Sequence, residues 1–204
     1  MHRIKKYLKK KLIHFIANNL KLINNVFHQL QSGELIDNFK SVGYNFKISY
    51  PYRFIGEKKI SLGNNVVIAG NARIEAIESY NQQQFTPYLE IGNNVSIEPN
   101  VHIGCINKVV IGNNVLIASN VYISDHFHGS ISENELDIPP KDRHLFSKGS
   151  VIIGDNVWIG DAVIILPNVT IGNNAIIGAN SVVTKSFPEN TVIAGNPAKI
   201  IKTL

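Results

Sequence analysis

The stretch from Val151 to Val183, VIIGDNVWIGDAVIILPNVTIGNNAIIGANSVV, decides the fold. Ile153, Ile159, Ile165, Ile171, Ile177 and Val183 recur every six residues without a break, and Gly follows four of them. A helix wants recurrence at about 3.6 and an amphipathic strand at about 2, so a strict six describes a short strand and a turn repeated as one unit. Val157, Val163, Val169 and Ala175 add a small apolar position four residues after each register residue, and both positions can point inward from a flat face. The intervening Gly-Asp-Asn or Gly-Asn-Asn supplies residues that tolerate left-handed backbone, as a tight corner needs. Three units close one triangular coil, and stacked coils pair as parallel strands about 4.8 Å apart. No coil buries a core alone, so stability has to come from stacking.

Working outward, the same register reads Leu62, Ile68, Ile74, then Ile91, Ile97, Ile103, then Ile111, Ile117, Ile123. Gly-Asn-Asn recurs at Gly63, Gly92, Gly112 and Gly172, always where a corner is due. Two small irregularities interrupt the count. A polar bulge, SYNQQQFTPY, lies between Ile74 and Ile91 and reads as a loop thrown out at a corner, and two residues are inserted near Cys105 to Lys108. The large interruption is the segment between Ile123 and Ile153, which carries no hexad pattern over DHFHGSISENELDIPPKDRHLFSKGS. Loops of this length inside a compact domain tend to be functional. It opens with two histidines, His126 and His128, and holds Glu133, Glu135, Asp137, Arg143 and His144, which read as solvated loop charges. Past Val183, Pro188 and Pro197 break the strands, and the last residues are expected to form a short basic helix.

The chain has 204 residues and 44% apolar content, enough for one solenoid, and 8% aromatics, as a narrow prism filled with Ile and Val requires. A single cysteine, Cys105, excludes an intramolecular disulfide framework and favours a reducing, cytoplasmic compartment. It reads as a small core or corner residue. The net charge of +5 belongs to the N-terminus, because Lys and Arg outnumber Glu34 and Asp37 eight to two up to Lys40. Within Met1 to Leu30, Ile4, Leu8, Leu12, Phe15, Ile16, Leu20, Ile23, Phe27 and Leu30 recur at three and four, the pattern of an amphipathic helix or two. This segment is too short and too polar to span a bilayer and has no secretory cleavage site. Two readings stand: a helix packed on the prism or a subunit, or peripheral contact with an anionic membrane surface, to which each Lys would add about 1 kcal/mol. No nucleic-acid partner is expected, since no recognised fold accompanies the charge. The expected division is therefore residues 1–60 as basic helical segment and transition, and residues 61–204 as prism, with an excursion at 127–150 and a short tail.

Several motifs stand in a telling order: Ser124-Asp125-His126-Phe127-His128, Val157-Trp158-Ile159-Gly160, Ile177-Gly178-Ala179-Asn180-Ser181-Val182-Val183-Thr184-Lys185, and Ala194-Gly195-Asn196-Pro197-Ala198-Lys199. Together with the hexads, over about Leu62 to Leu204, they resemble the hexapeptide-repeat acyltransferases, whose fold is a left-handed parallel β-helix. The nearest resemblance is to the maltose/galactoside O-acetyltransferase branch and to bacterial surface-polysaccharide O-acetyltransferases. The left hand comes from the resemblance alone, as a right-handed crossover is the general rule.

The resemblance implies a homotrimer that binds acetyl-CoA between neighbouring prisms and transfers acetyl to a carbohydrate hydroxyl. It implies that a histidine at the start of the excursion is the general base, an imidazole of ordinary pKa near 6.5 suiting neutral pH. His126 matches the Asp-His pattern of the polysaccharide enzymes, whereas counting from Val121 with the sugar acetyltransferases lands on His128; an extended segment would put both on one face. Trp158, Asp161, Ala179, Thr184 and Lys185 fall where the family meets the pantetheine arm, and Lys199 and Lys202 where it meets the nucleotide phosphates. Trp158 occupies an outward position, so its indole calls for cofactor or subunit as partner. Three rival functions remain: N-acetylation of a nucleotide-linked amino sugar, a γ-type carbonic anhydrase using His102, His126 and His128, and a non-catalytic solenoid. No metal is expected, since His126 and His128 stand too close for that zinc family's ligand spacing.

Overall fold

The computed structural model describes residues 11, 19, 35–130 and 135–204. Three parallel sheets run the length of a triangular prism. The first face stacks Ser41–Val42, Ile60–Leu62, Tyr88–Ile91, Lys108–Ile111, Val151–Ile153 and Val169–Ile171. The second stacks Lys47–Ile48, Val67–Ile68, Ser96–Ile97, Leu116–Ile117, Trp158–Ile159 and Ile176–Ile177, then Thr191–Gly195 and Ala198–Thr203. The third stacks Tyr52–Ile55, Ala72–Ala76, His102–Cys105, Tyr122–Ser124, Ile164–Ile165 and Val182–Val183. Register residues fall opposite one another along each face, as in Ile97 with Ile68 and Ile117, and Ile123 with Ile103 and Ile165. Both inward positions of the hexad are closed to solvent: Ile159, Ile165, Val163 and Val169 are all fully buried.

The corner between first and second faces explains the recurrent Gly-Asn-Asn. Left-handed backbone is carried by the second Asn, with φ between 56° and 59° at Asn45, Asn65, Asn94, Asn114, Asn156, Asn174 and Asn190. Asn is among the few residues for which this conformation is cheap. The glycine has another task, distinct from the turn: a Cβ on Gly63 would come within 2.6 Å of the Gly92 backbone of the next coil. With the corners so close, the Asn amides form a ladder, Nδ2 to Oδ1, from Asn45 to Asn65 (3.0 Å), Asn94 (2.8 Å), Asn114 (2.9 Å), Asn156 (3.0 Å), Asn174 (3.1 Å) and Asn190 (2.8 Å). Successive rungs are separated by 20, 29, 20, 42, 18 and 16 residues, so the ladder keeps its register across every insertion.

Two boundaries differ from the sequence expectation. The prism begins before residue 61, since Ser41–Val42, Lys47–Ile48 and Tyr52–Ile55 make a complete coil paired to the next. Its core uses aromatics in place of the hexad aliphatics: Phe39 meets Phe54 edge-on at 5.0 Å and Phe46 at 6.1 Å, plugging the open end. The C-terminus is a strand and no helix, because Ala198–Thr203 pairs antiparallel with Thr191–Gly195 and so satisfies the edge of the second sheet. Gly195, with φ of 104°, makes the turn between them. The amphipathic stretch from Met1 to Leu30 lies outside the described residues apart from Lys11 and Asn19. Among the described residues no helix is long and apolar enough to cross a membrane.

Asn114 takes part in two rungs and holds φ of 56°. Replacing it by Ala imposes about 1 kcal/mol of backbone strain and removes two exposed hydrogen bonds, so chemical denaturation should register a loss of about 2 kcal/mol. Asn114→Gly, which accepts the left-handed backbone without strain, should lose less; equal losses would show that the ladder alone matters.

Candidate active site

All insertions leave the prism at one corner, where the third face turns into the first. Here lie the hairpin of Ser79–Tyr80 with Gln83–Gln84, the added residues Ile106 and Asn107, and the excursion that starts at Asp125. The excursion is narrowed at its neck, where Phe127–His128 pairs antiparallel with Leu145–Phe146. The hairpin then locks it in place: Tyr80 Oη donates to the Lys141 carbonyl (2.5 Å), Leu145 N donates to Gln83 Oε1 (2.7 Å), and Gln83 Nε2 donates to the Leu145 carbonyl (3.2 Å). Within the loop Glu135 accepts from Ser130 N and Arg143 donates to the Ile138 carbonyl, so these two charges hold the loop itself.

Asp125 is completely buried at the base of this corner. Its Oδ1 accepts from Ile106 N (3.0 Å) and its Oδ2 from Asn107 N and Lys108 N (both 2.8 Å), so one carboxylate caps the inserted turn of the coil before it. Oδ1 also lies 3.0 Å from Nδ1 of His126. Burial pushes the Asp125 carboxyl up, but the imidazole and the amides of Ile106 and Asn107 outweigh it and hold the group below its ordinary range. Ser124 Oγ completes the cradle, donating to the His126 carbonyl (2.9 Å) and accepting from His126 N (3.2 Å). The ring then lies over Gly104, where a Cβ would come within 3.0 Å of His126 Cε1. A side chain there would press on the imidazole and have to displace it by a few tenths of an ångström.

His126 and His128 both open onto a cavity of about 480 Å³, walled by the third face, the hairpin and the neck of the excursion. They are not equivalent. His126 is buried and anchored, while His128 is exposed and touches the Tyr80 ring edge-on at 5.3 Å. Cys105 is fully buried nearby; burial and the Asp125 charge push its thiol up, so it stays protonated and serves the core. On the cavity floor lies a buried carboxylate that the hexad count passes over: Glu75, with Arg73 Nε 2.7 Å and Arg53 Nε 3.3 Å from Oε1 and His102 Nε2 3.4 Å from Oε2. Burial pushes Glu75 up, and the contacts with His102 and Arg73 win, lowering it to about 2. Among the described residues no cluster of three or more His, Cys, Asp or Glu side chains is placed to hold a metal ion.

None of the seven residues expected at the cofactor lines this cavity. Trp158 projects from the second face, 52% exposed, in one outward column with Leu116 and Ile176. Asp161 and Ala179 lie at the corner between second and third faces, where Asp161 Oδ1 accepts from Ser119 N (3.2 Å) and its side chain is thereby engaged. Beside it Ala162 takes φ of 54°, where Asn120 and Asn180 occupy the stacked positions with 62° and 59°. Thr184 and Lys185 follow Val182–Val183, with Lys185 Nζ 5.8 Å from the Phe187 ring centre. Lys199 and Lys202 are exposed on the last strand, opposite Ala194 and Val192. Sequence reasoning overlooked Asp125, Ser124, Gly104 and Glu75 as parts of the site. The first two were on view beside His126; the others follow from stacking, since Gly104 and Glu75 share one position along the third face with Ser124.

Residues 150–185 match the family model described as bacterial transferase hexapeptide (six repeats). The putative lipopolysaccharide biosynthesis O-acetyl transferase WbbJ of Escherichia coli is 42% identical over 159 residues, 76% of this chain and 77% of that one. The galactoside O-acetyltransferase of the same organism is 35% identical over 147 residues, 65% and 71% of the two chains. Among solved structures, AntD, an N-acyltransferase from Bacillus cereus in complex with dTDP and 3-hydroxybutyryl-CoA, superposes with a TM-score of 0.71 at 27% identity, covering 85% of this chain and 87% of that one. A prism of stacked hexads with one corner built into a histidine-bearing cavity is the body plan of an acyl-transferring enzyme. The chain belongs to the hexapeptide-repeat acetyltransferases, and its fold is their left-handed parallel β-helix.

Because folding lowers the Asp125 pKa, its contribution to stability is complete above the unfolded value of about 3.9 and disappears as pH falls through the folded value. Asp125→Asn should therefore be less stable than the parent at pH 7, by about 1 to 3 kcal/mol. The gap should narrow in urea denaturation series carried from pH 5 down to pH 2. A gap independent of pH would mean that the carboxylate charge does not hold the corner.

Proposed function

We propose that the protein is an O-acetyltransferase that moves acetyl from acetyl-CoA to a hydroxyl of a carbohydrate, with His126 as general base. The observation that carries the proposal is the 3.0 Å contact between Asp125 and His126 Nδ1 at the edge of the cavity. An ionised carboxylate only accepts hydrogen bonds, so Nδ1 bears the hydrogen and Nε2 keeps its lone pair. Nε2 meets no hydrogen-bonding partner among the described residues. In the reaction Nε2 takes the proton of the acceptor hydroxyl as that oxygen attacks the thioester carbonyl. The tetrahedral intermediate collapses with expulsion of the CoA sulfur, which the imidazolium reprotonates. Asp125 acts through His126 as a positioning residue and stabilises the imidazolium. His128, unanchored, is assigned to the acceptor.

The cofactor groove we assign to Trp158, Asp161, Ala179, Thr184, Lys185, Lys199 and Lys202 together with the face of a neighbouring prism in a homotrimer. Support comes from the apolar side chains left open on the second face, Val67, Leu116 and Trp158, and from the separation of these residues from the histidine cavity within one chain. A surface polysaccharide or its precursor is the proposed acceptor, in keeping with the likeness to the lipopolysaccharide biosynthesis O-acetyl transferase WbbJ and with a basic N-terminal segment suited to an anionic membrane surface. The likeness to AntD, also solved in complex with dTDP-4-amino-4,6-dideoxyglucose and Coenzyme A, supports the second reading, acyl transfer to an amino sugar on a nucleotide carrier. A screen of hydroxyl and amino acceptors with labelled acetyl-CoA separates the two.

His126→Ala should lower kcat by about 10²- to 10⁴-fold, the usual contribution of a positioned base, and leave acetyl-CoA affinity nearly unchanged. His128→Ala should cost less. Steady-state transfer in both variants checks this: the reverse order would exchange the roles, and near-full turnover in the double variant would remove the histidine mechanism.

A further inference from the structure

Arg53 and Arg73 face one another across adjacent strands of the third face, in an outward column that continues through His102 and Tyr122. Strands so paired lie about 4.8 Å apart, so two fixed cations are held close together. Glu75 lies between them, yet each arginine addresses it through Nε. The guanidinium ends have no further hydrogen bond or ion pair among the described residues, and the two side chains are 64% and 50% exposed. One carboxylate against two arginines leaves the floor of the cavity positive. Glu75 Oε1 is itself buried and accepts no hydrogen bond of good geometry among the described residues, despite the nearness of Arg73. The same cavity holds His126, with Tyr80, Tyr122, Ile55 and Ile77 on its walls. A surface ion pair needs one arginine; a second, forked and open to the cavity, suits an anion with paired oxygens.

We propose that this floor is an acceptor subsite for a negatively charged sugar, whose phosphate or carboxylate is clamped by the outer nitrogens of Arg53 and Arg73. The inference rests on the reading of His126 as the base that acts on that ligand. Glu75 serves as the buried counter-charge that holds the two arginines side by side, and the clamped anion brings a hydroxyl of the same ligand towards the imidazole.

The test compares glucose, glucuronate and glucose 1-phosphate as probes, with the full-length protein and its Arg53→Gln, Arg73→Gln, Arg53→Lys and Arg73→Lys variants. Binding is followed by calorimetry and acetyl transfer with labelled acetyl-CoA. A charged probe should bind at least tenfold more tightly than glucose, the Gln variants should erase that advantage, and the Lys variants should keep part of it. An advantage for glucuronate alone identifies a carboxylate ligand, and for glucose 1-phosphate alone a phosphate. The three probes binding alike, or an advantage that survives both Gln substitutions, overturns the subsite. Arginine-dependent binding with no transfer to any probe leaves the subsite standing and sinks the base assignment, whereas transfer indifferent to charge sinks the subsite alone.

Discussion

Every coil of this protein is incomplete until the next is laid on it. Backbone amides at the corners find their acceptors only across the stack, as Asn65 N does at the Tyr44 carbonyl (2.9 Å) and Asn94 N at the Asn64 carbonyl (2.8 Å). The same holds for the side-chain ladder and for the core, where a single Ile layer without neighbours would remain wet. The inter-strand spacing therefore governs residue choice everywhere: branched aliphatics inside, Asn where the backbone turns left-handed, Gly where two corners approach too closely for a Cβ.

That constraint also explains how a site can be built without damage to the scaffold. Faces have to stay in register, but a corner can release chain as long as it returns to the same place. Release is concentrated at one corner, so successive insertions stack on one another and enclose a cavity. Asp125 shows the economy of the arrangement. The carboxylate that closes the inserted turn at Ile106 to Lys108 also fixes the ring of His126, so the integrity of the corner and the orientation of the proposed base depend on one group.

Much of this was legible from the residues. The period of six gave the prism, its faces and the inward positions, because stacking repeats the same demand at each turn. The excursion and its histidines were visible as a loss of that period. What escaped depended on contacts between coils that no local pattern encodes. Glu75 reads as an ordinary polar residue beside Ile74 and becomes a buried anion through Arg73 on its own strand together with His102 and Arg53 from the coils on either side. Of the first coil only an irregular strand at Phe46 to Tyr50 was legible, because aromatic residues replace the aliphatic register where the prism has to be closed. The terminal strand was mistaken for a helix because Lys199, Ile200, Ile201 and Lys202 alternate poorly, and the open edge of the second sheet decides their conformation.

The central claim is that Asp125 sets the proton of His126 on Nδ1 and so leaves Nε2 as a base facing the acceptor. Nitrogen-15 correlation spectra of the neutral imidazole, assigned by comparison with His126→Ala, report directly which ring nitrogen carries the hydrogen. The account predicts a protonated Nδ1 and a bare Nε2 in the free enzyme. A proton on Nε2 would contradict it, because a ring in that form keeps its lone pair on Nδ1, against Asp125, and has none on Nε2 to offer the hydroxyl.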